Sequence, residues 1–107
     1  MVNFEKKTPK IDLGGGLTRR IMSHDGGMMA VAVDFEKDAV GALHSHPHEQ
    51  ITYVVSGRFT ATLGEETCEI GPGDSYYCAP NEPHGVVCLE AGRLLDVFTP
   101  QREDFLR

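Results

Sequence analysis

Short runs rich in Val, Ile, Thr, Tyr and Phe recur down this chain, with turn-forming residues between them at roughly ten-residue intervals, the punctuation of an all-β sandwich or barrel. The expected strands are Leu17 to Met22, Met28 to Phe35, Val40 to His46, Gln50 to Val55, Arg58 to Leu63, Thr67 to Ile70, Ser75 to Cys78, His84 to Leu89 and Arg93 to Thr99. Between them stand Asp25-Gly26-Gly27, Ser56-Gly57, Gly64-Glu65, Gly71-Pro72-Gly73-Asp74, Pro80 to Pro83 and Ala91-Gly92, each carrying residues that close tight turns. No stretch holds a helical period, and only Arg102 to Arg107 could close a helical turn. At 107 residues the chain is expected to form one domain, with an arm over 1–16, a barrel over 17–99 and a tail over 100–107. Gly14-Gly15-Gly16 reads as a flexible lead-in loop; a phosphate cradle would need a helix or a Lys-Ser/Thr pair after it, and neither follows.

Ten basic residues against sixteen acidic ones give a net charge of −6, which repels polynucleotides and anionic membrane surfaces, so neither is expected as a partner. An anionic ligand would require a locally positive site, and a divalent cation could provide it. Cys68, Cys78 and Cys88 are odd in number, evenly scattered and free of any CxxC pair, as buried small hydrophobes in a reducing compartment would be. No apolar run suits export or a membrane span, and the expected location is cytoplasmic.

The chemistry concentrates in His44-Ser45-His46-Pro47-His48-Glu49-Gln50 and, far downstream, in Pro80-Asn81-Glu82-Pro83-His84. In an extended segment His44 and His46 share a face, and Gln50 can rejoin them once the chain has turned at Pro47. With His84 they supply three imidazoles and one amide, a donor set for one divalent transition metal: nickel, zinc, iron, manganese or copper. A carboxylate in the fourth position would reduce the charge of such an ion to about +1, whereas four neutral donors leave it near +2, a stronger Lewis acid that favours an anionic ligand. The alternative for Gln50 is a hydrogen bond to a metal-bound water. His48 falls at the turn and suits the rim, Glu49 should face away from Gln50, and His24 should lie in a turn facing solvent.

On the last strand, alternation puts Leu94, Asp96 and Phe98 on one face. If that face looks inward, Asp96 is a partly desolvated acid suited to proton transfer, Phe98 a wall for a sugar ring, and Arg102 able to reach back to a carboxylate. If it looks outward, Asp96 is a surface acid, Phe98 belongs to the core and Arg102 to a solvated tail. Spacing alone leaves both open.

The segment Gly41 to Gly57, with its HxH pair, a fourth donor four residues on and a glycine seven residues later, resembles the first motif of the cupins. Gly71-Pro72-Gly73-Asp74 through His84 resembles the second, with Gln50 where cupins usually carry glutamate. The resemblance implies a double-stranded β-helix, a jelly-roll barrel with the metal inside. Together with the ending Asp96-Val97-Phe98-Thr99-Pro100-Gln101-Arg102-Glu103-Asp104-Phe105, these motifs resemble the pectin-degradation KdgF group of small cupins over most of the chain. That resemblance implies metal ligation by His44, His46, Gln50 and His84, with Asp96, Phe98 and Arg102 acting on the substrate. It also implies metal-dependent ring opening of 4,5-unsaturated uronate monosaccharides, small anionic sugars from pectin and alginate, to 5-keto-4-deoxyuronate. Another cupin metalloenzyme, such as a dioxygenase or sugar isomerase, and a non-catalytic sugar-binding cupin are the alternatives. Small size and open sheet edges favour a homodimer.

Overall fold

A computed structural model describes all residues from 1 to 107, and it is all-β: eight strands with one short 3-10 turn at each end. The strands are β1 (Ile11–Gly14), β2 (Leu17–Asp25), β3 (Met28–Phe35), β4 (Val40–His44), β5 (Glu49–Leu63), β6 (Glu66–Ile70), β7 (Ser75–Cys78) and β8 (His84–Thr99). The 3-10 turns span Glu5–Lys7 and Glu103–Leu106, the second within the tail expected to close a helical turn. No helix is long and apolar enough to cross a membrane.

Two long strands organise the sheet. The first half of β5 pairs with β7 and with the second half of β8, which in turn pairs with β3. The second half of β5 pairs with β6 and with the first half of β8, which is joined on its other side by β4. The path β1-β2-β3-β8-β5-β6 is thus one antiparallel sheet folded over itself into two facing layers, a jelly roll.

The fold-over occurs where Ser56-Gly57 and Ala91-Gly92 were expected to separate strands. The ladder instead runs through both with register shifts from Val54 to Phe59. Gly57 adopts φ +84°, and a Cβ there would stand 2.6 Å from the Glu90 carbonyl oxygen; one on Gly92 would stand 2.1 Å from that of Ser56. Two backbones cross here closer than any side chain permits, so glycine bends the strands and does not end them.

Other boundaries differ for local reasons. The arm holds β1, whose short ladder to β2 through Ile11↔Arg19 and Asp12↔Thr18 is a tertiary pairing with too few residues for a periodic signal. β2 continues to Asp25, and β4 stops at His44, short of His46.

Met29, Val31, Val33 and Phe35 alternate inward along β3 and meet Val54, Phe59, Ala61, Val86, Cys88, Leu94 and Phe98 from β5 and β8. Phe35 and Phe59 pack edge to face with centroids 5.2 Å apart. Each such side chain contributes about 1.5–3 kcal/mol by leaving water. Cys78 and Cys88 are buried as expected, whereas Cys68 is exposed. The packing leaves a cavity in which His44, Gln50, His84, Asp96 and Arg102 stand among mostly apolar side chains.

Candidate active site

His44, at the end of β4, His46, just beyond it, and His84, which opens β8, present ligand atoms that all lie within 4.8 Å of one another. Their ring centroids are 4.4 Å (His44 to His84), 4.8 Å (His46 to His84) and 5.6 Å (His44 to His46) apart. The His44↔His84 pair is itself a rung of the β4–β8 ladder, so backbone pairing brings these two together. His46 joins them from a bend, because strand alternation ends before it.

Each Nδ1 is bound to a backbone carbonyl: His44 to Ala42 at 2.8 Å, His46 to His48 at 3.1 Å and His84 to Glu82 at 2.9 Å. A carbonyl can only accept, so Nδ1 carries the proton and each Nε2 keeps a lone pair for a metal. Burial, the leading cause for both rings, pushes the affinity of His46 and His84 for a second proton below normal and keeps them neutral.

Gln50 sits beside them, buried at the start of β5. Its Nε2 donates to Thr52 Oγ1 at 2.8 Å and to Asp96 Oδ1 at 3.3 Å, which turns Oε1 toward His46 Nε2 at 3.0 Å. Two acceptors therefore face each other without a proton between them, and His84 Nε2 is buried with no partner. Those unpaired lone pairs fit a cation held by His44, His46, His84 and Gln50.

Asp96 lies on the inner face of β8. Thr52 Oγ1 donates to its Oδ1 at 2.6 Å, alongside the Gln50 amide. Enclosure by the barrel pushes its pKa up to about 6, against the opposing pull of Thr52, His44, Gln50 and Arg102. The carboxylate borders a cavity of about 300 Å³ that also takes in His44, His84, Gln50, Phe98 and Arg102. Phe98 is buried, edge-on to His46 with centroids 5.6 Å apart. Arg102 is buried too and holds Asp104 through Nε at 3.1 Å and Nη2 at 2.9 Å, leaving Nη1 uncommitted.

The surrounding folds match. A family model for the cupin domain covers residues 31–98. The pectin degradation protein KdgF of Dickeya dadantii (strain 3937) is 42% identical over 105 residues, 96% of each chain. The chain belongs to the KdgF family of cupins. A solved KdgF from Halomonas sp. has a TM-score of 0.94 at 36% identity and covers 98% of this chain and 97% of its own. An RmlC-like cupin from Shewanella frigidimarina NCIMB 400 gives 0.94 at 39% identity, with 97% and 94% covered.

In this KdgF-family cupin the glutamine has a structural rationale. A glutamate at position 50 would set a second carboxylate against Asp96, whereas an amide bonds Asp96 with one end and offers oxygen to the cluster with the other. His48 stands outside the histidine cluster, its Nδ1 buried and unpartnered. Glu49 faces outward, as expected, and accepts a hydrogen bond from Tyr77. His24 departs from expectation: it lies on β2, half-buried, its Nδ1 2.8 Å from Gln101 Oε1.

Two groups escaped the sequence motifs: Thr52, next to the cavity, and Arg19, on its wall. Thr52 couples Gln50 to Asp96, and alternation along β5 from Gln50 to Thr52 to Val54 was the available signal. Tyr76 lines the cavity, and burial raises its hydroxyl pKa well above normal. Arg19 also lines it, a charge in the inward row Leu17, Arg19, Ile21 where apolar residues are the rule.

Proposed function

We propose that this protein opens the ring of 4,5-unsaturated uronate monosaccharides, products of lyase action on pectin and alginate, to linear 5-keto-4-deoxyuronate. The observation that carries the proposal is Asp96: one enclosed carboxylate with a raised pKa, bonded to Gln50 and bordering the same cavity as His44 and His84 of the histidine cluster. Membership of a family whose curated relative is called a pectin degradation protein supports it.

The reaction moves a single proton. The C1 hydroxyl loses it, the bond from C1 to the ring oxygen breaks to leave an aldehyde, and the freed electron pair passes through the C4=C5 bond to take a proton at C4, leaving a ketone at C5. Asp96, poised between its protonated and ionised forms near pH 6, takes the first proton and returns it at C4. Arg102 holds the substrate carboxylate through Nη1, and Phe98 supplies the apolar surface on which the ring rests. A divalent cation held by His44, His46, His84 and Gln50, with nickel, zinc, iron and manganese all suited to those donors, would supply a Lewis acid for negative charge on oxygen.

Mannuronate and guluronate differ only at C5, so unsaturation makes them one molecule, and alginate presents a single unsaturated monosaccharide to such a site. A homodimer is proposed through the outer face of β5 and β7, where Ile51, Tyr53, Val55 and Tyr77 are about half exposed. A cytoplasmic location suits the three free cysteines.

The test mixes the protein with an unsaturated uronate and follows loss of the ultraviolet absorption of its C4=C5 bond. Loss faster than the spontaneous rate, abolished by chelation and by Asp96→Asn with metal content intact, is the expected outcome. An unchanged rate in the Asn variant removes Asp96 from the mechanism, and no acceleration by the parent refutes ring opening.

A further inference from the structure

The cavity holds a second guanidinium that the proposed reaction leaves without a task. Arg19 pairs with Val33 across the β2–β3 ladder and therefore shares its inward face. It borders the same cavity as Asp96 and Arg102. Its guanidinium makes no hydrogen bond to the protein, and its Nε is buried without a partner. The other inward arginine differs in that respect, because Asp104 already occupies two of its donors.

The two cations are brought together by Phe105 in the closing 3-10 turn. The guanidinium carbon of Arg19 lies 3.9 Å from the centre of that ring, and that of Arg102 lies 4.2 Å from it. Burial and the charge of Arg102 both weaken the hold of Arg19 on its proton, with Asp104 acting in the opposite sense. Arg19 is half-buried, and leaving its Nε shut off from water without a partner costs free energy, so the site favours an anion entering beside it.

We infer that Arg19 is a second carboxylate-binding arm of this site, sharing the acid group of the sugar with Arg102 and selecting uronates over their neutral counterparts. The inference deepens the ring-opening proposal by naming the residue that sets its preference for an anionic sugar. Its position explains why a chain of net charge −6 can draw in an anion: one cation stays unpaired in the cavity whatever the state of the Arg102–Asp104 pair.

Calorimetric titration of nickel-loaded protein with galacturonate, a saturated sugar that cannot react, and with its methyl ester tests the assignment. The parent should bind the acid more tightly than the ester. Arg19→Met, which keeps an apolar contact with Phe105, should weaken acid binding by about tenfold or more and leave ester binding within about twofold. Arg19→Lys should fall between them, because an ammonium keeps the charge and loses the planar fork.

Equal losses for acid and ester would reduce Arg19 to a packing residue, and unchanged acid binding in Arg19→Met, or a parent that binds no galacturonate, would overturn the inference outright. The two proposals fail separately. A parent that selects galacturonate through Arg19 and leaves unsaturated uronates unopened sinks the reaction and keeps this site; an active enzyme whose acid preference survives in Arg19→Met does the reverse.

Discussion

The amide of Gln50 and the carboxylate of Asp96 are hydrogen-bonded at 3.3 Å, and that bond decides which end of the amide faces the histidines. Because Nε2 is committed to Asp96 and Thr52, Oε1 is directed at His46. Donor to the acid and oxygen toward the histidines are thus two ends of one side chain, which ties Asp96 to the three-histidine cluster.

Gln50→Glu should therefore damage turnover more than metal binding. The new carboxylate would strengthen the grip on a cation and stand against Asp96 in an enclosed site, raising the proton affinity of the pair. Turnover should fall by about tenfold or more, one pKa unit being worth about 1.4 kcal/mol. Elemental analysis alongside the ultraviolet assay checks this, and a variant as fast as the parent with full metal would show that the amide is dispensable.

Asp96 should leave its mark on the stability of the metal-free protein. Its folded pKa of about 6 exceeds its ordinary 3.8, so the folded state binds the proton more tightly than the unfolded chain does. The resulting stabilisation is complete below about pH 4 and is lost as the pH rises through 6. Asp96→Asn cannot lose a proton, so its stability relative to the parent should climb across that window by roughly 2–3 kcal/mol and then level off. Urea titrations of both proteins between pH 4 and pH 8, with chelator present, would reveal a flat difference if Asp96 were solvated.

Metal should stabilise the fold through His84, whose Nε2 has no partner of its own. Nickel added to chelator-treated protein should raise the melting temperature, with about 4 kcal/mol available when free metal is a thousandfold above its dissociation constant. His84→Ala should abolish most of that rise. An equal rise in the variant would mean that the ion binds elsewhere.

The crossing at Gly57 and Gly92 should tolerate no side chain. Gly92→Ala places a methyl group 2.1 Å from the Ser56 carbonyl oxygen, with backbone on both sides and nothing free to move. A loss of about 3 kcal/mol or more in urea unfolding is expected. Gly27→Ala meets no atom nearer than 4.0 Å and serves as the control. Similar stability for both alanine variants would show that the two strands can separate here.

Much of this molecule was legible before it was folded. Turn residues at regular intervals announced an all-β chain because glycine, proline and small polar residues act within a few bonds of where they stand. The limits of β3 and β7 came directly from that punctuation. The histidines and Gln50 stood out by spacing, since metal ligands must converge and few residue types can serve.

Tertiary structure alone decided what depends on a neighbour distant in the chain. Whether Gly57 ends a strand or bends it rests on the backbone of Gly92 crossing above it, and whether Asp96 faces water rests on Thr52 and Gln50 arriving from another strand. Arg19 looks like any charged residue of a strand until the closing turn brings Phe105 and Arg102 against it. Local chemistry is written in adjacent residues; burial, and with it proton affinity and unpaired charge, comes into being only when separate segments exclude water from one another.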